Sequence, residues 1–258
     1  SNKKNEESCA SDGLEESTCS ITCEECEGKY PRLKGIDPIS SLAGSAKSYD
    51  EHILIGTGKG DWIRNIDEEP GSIAHAISNW KHPSIKGDIK ISNSSLPVGV
   101  IVVLPQFLYF NAAAATCAEQ LTRIFDELST DSEKAPKGAK ALECDNVVLL
   151  CSHKTRDKNC GITAPILKKE FELVLRDKEL LRDTEDNRRG GCKVLYVSHI
   201  GGHKFAGNVI IYRKEGGIIW LGRIKPENVK PIVEESILKG KVWHKMMRFG
   251  RKTSKIDW

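Results

Sequence analysis

Apolar and polar positions divide the chain into two α/β stretches. In the first, His52 to Thr57 reads as a strand, Ser72 caps a helix reaching Trp80, and Lys86 to Ser92 reads as a second strand. Val98 to Leu104 is a nearly continuous apolar run, which predicts a strand buried on both faces. Ala112 to Leu128, with Asn111 as its cap, is the longest predicted helix. In the second stretch, the strand Asn146 to Leu150 ends at Cys151. A helix is predicted from Ala164, with Thr163 as cap and Pro165 in the first turn, where proline is tolerated. Leu167, Phe171, Val174, Leu175 and Leu181 mark its apolar face. Lys193 to Ser198 is the next strand, and Asn208 to Arg213 with Ile218 to Arg223 form a hairpin around Glu215-Gly216-Gly217. A last helix falls within Pro226 to Leu238. The first stretch therefore reads β-α-β-β-α and the second β-α-β-β-β-α, an α/β fold class.

Composition sets the boundaries. Residues 1–28 carry eight acids and two lysines, and residues 1–35 as a whole are polar, so disorder is expected there. The first α/β domain is predicted over 36–130, a Ser-, Lys- and Pro-containing linker over 131–143, and the second domain over 144–240. Residues 241–258 read as a basic tail, with Lys241, Lys245, Arg248, Arg251, Lys252 and Lys255. Such a run binds nucleic acid or an acidic partner, or is simply solvated; nucleic acid is the less favoured partner. No apolar stretch is long enough to span a bilayer. Nine cysteines are an odd count without the density of a secreted disulfide framework, so a reducing compartment is expected.

The chemistry concentrates between Cys151 and His203. Cys151-x8-Cys160 is followed 38 residues later by His199-Ile200-Gly201-Gly202-His203. Two thiols and two imidazoles make a four-ligand set of the kind that takes zinc, copper or iron–sulfur centres. Eight residues between the cysteines are too many for a zinc knuckle, which usually has two to four. Gly201 and Gly202 have no Cβ to obstruct a bulky inorganic core and tolerate positive φ. On spacing alone the set admits a 2Fe-2S cluster, a zinc site or no metal. A second set, Cys19-x3-Cys23-x2-Cys26 with Cys9 upstream, has no barrel behind it and reads as exposed thiols, a metal site or a redox pair. His153 reads as an exposed loop histidine, and Cys117, Cys144 and Cys192 as packed side chains.

Cys151-x8-Cys160, then His199-x-Gly-Gly-His203 continuing as Lys204-Phe205-Ala206-Gly207-Asn208, with Arg156-Asp157 and Trp220-Leu-Gly-Arg223, resembles the sucrase/ferredoxin-like family. Gly58-Lys-Gly-Asp-Trp62 and Ser92-Asn-Ser-Ser-Leu-Pro97 resemble upstream segments of it. The resemblance implies a C-terminal thioredoxin-like ferredoxin domain, preceded by an α/β domain whose order also suits a degenerate thioredoxin-like fold. It further implies a 2Fe-2S cluster with Cys151 and Cys160 on one iron and His199 and His203 on the other. The function it implies is a one-electron carrier that couples reduction to protonation of the histidines and takes its electron from a protein partner. Two rival readings remain: a zinc-stabilised adaptor or scaffold in cytoskeletal organisation, its basic tail docking a partner, and a thiol oxidoreductase using Cys151 and Cys160. Finally, Ile256-Asp257-Trp258 resembles the C-terminal tripeptide by which clients engage the cytosolic iron–sulfur targeting complex. That resemblance implies a cytoplasmic or nuclear location over a mitochondrial one.

Overall fold

A computed structural model of the chain describes residues 13–258. Ten strands form a single mixed sheet. The first half contributes β1 (Glu51–Gly56), β2 (Ile89–Ser94), β3 (Val100–Leu104), β4 (Leu108–Asn111) and the short β5 (Lys140–Ala141). The second contributes β6 (Asn146–Cys151), β7 (Cys192–Val197), β8 (Val209–Arg213), β9 (Ile218–Leu221) and β10 (Met247–Arg251). Their order across the sheet is β10-β9-β8-β6-β7-β2-β1-β3-β4-β5. The helices are α1 (Ile73–Ile77), α2 (Cys117–Thr130) and α3 (Lys158–Asp177), and the last helical segment runs from a turn at Val229–Pro231 into a π-helix at Ile232–Ile237. The fold is mixed α/β, as the hydrophobic pattern predicts.

Period-two alternation explains the layers. Ile53 and Ile55 of β1 face α1 and α2 in a cluster with Ile77, Leu121 and Ile124, whereas Leu54 between them belongs to a different cluster. In β6, Val148 and Leu150 pack on α3 with Leu167 and Phe171, while Val147 and Leu149 face the other way. The cluster on that other side takes residues from both halves, Leu54 and Val102 together with Tyr212 and Trp220. One core therefore spans the two sequence units.

The halves also share the sheet. β2 meets β7 at Ser94 and Val197. Around that point Ser198 N–H donates to Asn93 O at 2.9 Å, Ser95 N–H to Tyr196 O at 3.0 Å, and Asn93 N–H to Ser198 Oγ at 3.0 Å. Serine hydroxyls satisfy this seam, where apolar side chains would leave backbone groups unpaired.

Several boundaries differ from expectation. Residues 13–35, expected to be disordered, lie against the second half. Glu16 bridges Val242, Ser17 N–H donates to Val242 O at 2.7 Å, Tyr30 Oη donates to Ile224 O at 2.8 Å, and Ile21 is buried in the core. Burying Ile21 and saturating these backbone groups offsets the acidic repulsion that predicted disorder. Cys9 lies outside the described residues. The stretch read as a linker supplies β5, and the stretch read as a basic tail supplies β10, which pairs with β9. Helix α3 begins at Lys158, not Ala164, because the Asp157 carboxylate accepts from the N–H groups of Asn159 and Cys160. Pro165 consequently lies inside α3, about two turns after its start and not in its first turn. Helix α2 begins at Cys117, not Ala112, after the added strand β4 has used Asn111.

Candidate functional site

The parallel pair β6 and β7 ends at one edge and sets Cys151 level with Val197, two residues before His199. Cys160 rises to the same place on the first turn of α3, and the thiols of Cys151 and Cys160 are buried and in contact. Cys160 donates to Cys151, and with His199 it holds the Cys151 thiol well below the usual range. The shared proton stays on Cys160, which the Cys151 contact and then burial push upward. His199 is half-buried, and its Nδ1 is enclosed without a hydrogen-bond partner. His203 opens a 3-10 turn at His203–Phe205 and is exposed. The two imidazoles lie 6.3 Å apart between ring centroids.

The two thiols therefore meet with His199 beside Cys151, and His203 follows across a Gly-Gly turn. Both glycines have positive φ, 93° at Gly201 and 73° at Gly202. A Cβ on Gly201 would enter open space, as a cradle for a bulky group requires. A Cβ on Gly202 would strike the Arg248 guanidinium, so that glycine makes room for a protein side chain and not for a ligand.

The frame around the site comes from residues that spacing did not single out. His153, expected to be exposed, is buried. Its Nδ1 accepts the His199 N–H at 3.0 Å, and its Nε2 donates to Trp62 O at 3.1 Å and Ile63 O at 2.9 Å. These bonds fix the tautomer and tie the histidine loop to the first half of the chain. Asp61 accepts from Thr155 N–H and Oγ1, and Arg156 donates to Arg64 O and Asn65 Oδ1. On the other side, Arg248 donates to Gly201 O at 3.0 Å and to Asn208 Oδ1 at 2.7 Å, while Asn208 donates to Gly202 O at 3.1 Å. The upstream Gly58–Trp62 segment could have signalled the His153 contacts; nothing local in the sequence signals those of Arg248. His153→Phe keeps the ring but neither accepts nor donates, leaving three buried backbone groups unpaired. It is expected to cost about 2–3 kcal/mol in urea unfolding, and a cost below about 1 kcal/mol would show that water replaces the ring.

The other cysteines divide as follows. Cys117, Cys144 and Cys192 are buried, with their thiols pushed up by burial. Cys23 and Cys26 touch at the surface of the N-terminal segment, and burial together with that contact pushes Cys26 up to about 11. Cys19 is exposed.

The sucrase/ferredoxin-like family model matches residues 42–249, which takes in the site, its frame and nine of the ten strands in full. The chain belongs to the sucrase/ferredoxin-like family. It is 36% identical to Actin patches distal protein 1 of Saccharomyces cerevisiae, over 91% of this chain and 81% of that protein. It is 27% identical to Altered inheritance of mitochondria protein 32 of Meyerozyma guilliermondii, over 84% and 87%. The protein of that name from Clavispora lusitaniae is 43% identical over 40% of this chain and 34% of its own length. No solved structure matches the chain.

These findings correct one expectation. The relatives carry names that refer to actin patches and mitochondrial inheritance, not to iron–sulfur electron transfer. Among the described residues, no three His, Cys, Asp or Glu side chains are grouped to hold a metal ion. The thiols are buried, whereas His203 is exposed on its turn. The one-electron iron–sulfur carrier is withdrawn on these grounds. No helix among the described residues is long and apolar enough to cross a membrane.

Proposed function

We propose that this chain is an adaptor or scaffold protein of cytoskeletal organisation, acting in the cytoplasm. The observation that carries this reading is its likeness, over most of both chains, to a protein named for actin patches. Its architecture supports the reading: the four Cys and His residues lie where loops from both halves meet.

In this proposal Cys151, Cys160, His199 and His203 brace that meeting point around a metal centre. The donor set fits such a group: two thiols in contact, an imidazole nitrogen enclosed without a partner, and a glycine facing open space. A bound zinc ion would supply cross-linking without redox chemistry. His153 and Arg248 would hold the loops that carry the donors.

The adaptor role is tested in yeast cells that lack the Saccharomyces relative and carry this chain as the only copy. The expected result is that actin patches, stained with fluorescent phalloidin, take their normal distribution. Patches distributed as in cells without any copy would overturn the reading. The occupant is tested separately by elemental analysis of the purified protein. One zinc per chain and no colour supports the zinc brace. Two irons with acid-labile sulfide and a red-brown colour would replace zinc with the 2Fe-2S cluster that the resemblance implies. Neither metal would remove the brace from the proposal.

A further inference from the structure

The loops around the site form a continuous rim. Residues 57–65 touch residues 152–160 through Asp61, His153 and Arg156. The start of α3 touches residue 34, since Asn159 Nδ2 donates to Lys34 O at 2.6 Å. Residues 37–40 touch the histidine loop, since Asp37 N–H donates to Lys204 O at 2.9 Å.

This rim has two unusual properties. First, it holds four of the six large apolar side chains that stand exposed among the described residues. Ile39 is 90% exposed and Val98, beside Gly58, is 80% exposed; Ile63 is on the first-half loop and Ile162 two residues after Cys160. Single exposed apolar residues are ordinary, but several on one rim mark an interaction site. Second, its charge is predominantly positive. Lys59, Lys154 and Lys158 are exposed on the first-half and cysteine loops, as is Arg64. Lys34 and Lys204 extend the positive charge across the N-terminal and histidine loops. The rim's acids are three, fewer than these six bases, and each turns to partners within the protein: Asp61 to Thr155, Asp157 to the first turn of α3, and Asp37 to Ser40, Ile39 and Lys204.

We infer that this rim is a docking face for an acidic protein segment with interspersed aliphatic side chains. Positive charge steers the segment and sets its register, and the isoleucines and valine take its apolar residues. The exposed apolar side chains decide between protein and nucleic acid. All are aliphatic, and a single-strand platform needs exposed aromatic rings on which bases stack. The inference rests on the adaptor reading for the class of its partner, but its test does not involve actin.

The test uses the purified full-length chain and a fluorescein-labelled 20-residue peptide of Glu and Asp with leucine at every fourth position. Anisotropy should show saturable binding that weakens as salt rises. A variant carrying Lys59→Glu, Lys154→Glu and Lys158→Glu should bind at least tenfold more weakly with its thermal unfolding unchanged. Ile63→Ser with Ile162→Ser should weaken binding severalfold without changing the salt slope, and it serves where the triple variant does not fold. No saturable binding of the peptide, or wild-type affinity in the folded variants, would overturn the docking face. Tighter binding of a 20-nucleotide single strand than of the peptide would assign the rim to nucleic acid instead. Abnormal patches with the unaltered chain would sink the adaptor reading alone.

Discussion

Arg248→Leu is expected to lower stability by about 3–5 kcal/mol, or roughly 10 °C in Tm for a chain of this size. The guanidinium is 2% exposed and has no carboxylate among its hydrogen-bond partners. It is held instead by oxygen dipoles and ring faces. Nε donates to Ser45 Oγ at 2.9 Å and Nη2 to Ser45 O at 2.9 Å, while Nη1 reaches Gly201 O and Asn208 Oδ1. Its carbon lies 4.7 Å from the Trp220 ring centroid and 5.1 Å from that of Phe205. Leucine fills part of the volume but takes the donor from Gly201 O and Ser45 O, while Asn208 Oδ1 keeps the Trp220 indole N–H; an unsatisfied buried acceptor costs more than its bond contributes. Arg248→Lys keeps the charge and loses the planar fork, so it should recover less than half of the loss. Urea unfolding gives the magnitudes. Amide exchange at Gly201 to Lys204 should accelerate in both variants, because the Gly201 carbonyl loses its anchor. A loss below about 1 kcal/mol in Arg248→Leu would mean that the guanidinium is not what holds this loop.

The same residue shows where the sequence could and could not be read. Strands β1, β3, β6 and β7 were legible because both their faces are buried, so they appear as apolar runs whatever lies beside them. β10 was hidden because Met247-Arg248-Phe249-Gly250-Arg251 mixes apolar and basic residues and its pairing with β9 is interrupted by a bulge. Charge made it look like a tail, and no period of two runs through it. The start of α3 was missed for a related reason. Lys158-Asn159-Cys160-Gly161 has no apolar stripe, and only the cap at Asp157 announced the helix. The seam between β2 and β7 could not be read at all, because it joins serines about one hundred residues apart. In the site, spacing found the four thiol and imidazole residues, since ligand chemistry is local in sequence. It did not find that His203 stands apart, or that His153 and Arg248 frame the loop, because those facts depend on which segments fold together.

Glu51→Gln is expected to flatten the loss of stability that the protein shows as pH rises from 5 to 8. Glu51 opens β1 with only 8% of its surface exposed. One carboxyl oxygen accepts from Gln106 Nε2 at 2.7 Å, and the other is enclosed without a partner. Burial pushes this carboxyl from 4.5 up to about 8; nearby Asp50 pushes the same way, while Gln106 and Arg251 pull it back. A carboxyl raised on folding binds its proton more tightly in the native state. Its contribution is therefore complete below the unfolded value near 4.5 and is lost as pH climbs through about 8. At about 1.4 kcal/mol per unit the loss is on the order of 4 kcal/mol. Lys90 acts in a different window and with the opposite sign. Burial lowers it from 10.5 to about 8, so its charging cost disappears as pH rises from 8 toward 10.5. Burial also holds His52 well below 6.5, so its share of stability grows as pH rises toward 6.5 in both proteins, and the difference between Glu51→Gln and the parent isolates Glu51. The amide in Glu51→Gln has the shape of the protonated acid and does not ionise. Urea unfolding of the variant should give similar stability to the parent at pH 5 and higher stability at pH 8. The site also bears on the C-terminus, because Gln106 O accepts the Trp258 indole N–H at 2.9 Å and Asp50 is paired with Arg251. Ionised Glu51 thus forms beneath the contact that holds the last residue, and quenching of Trp258 fluorescence by acrylamide should rise over the same pH range in the parent alone. Parallel pH profiles for the two proteins would show that Glu51 is ionised in the folded state at neutral pH.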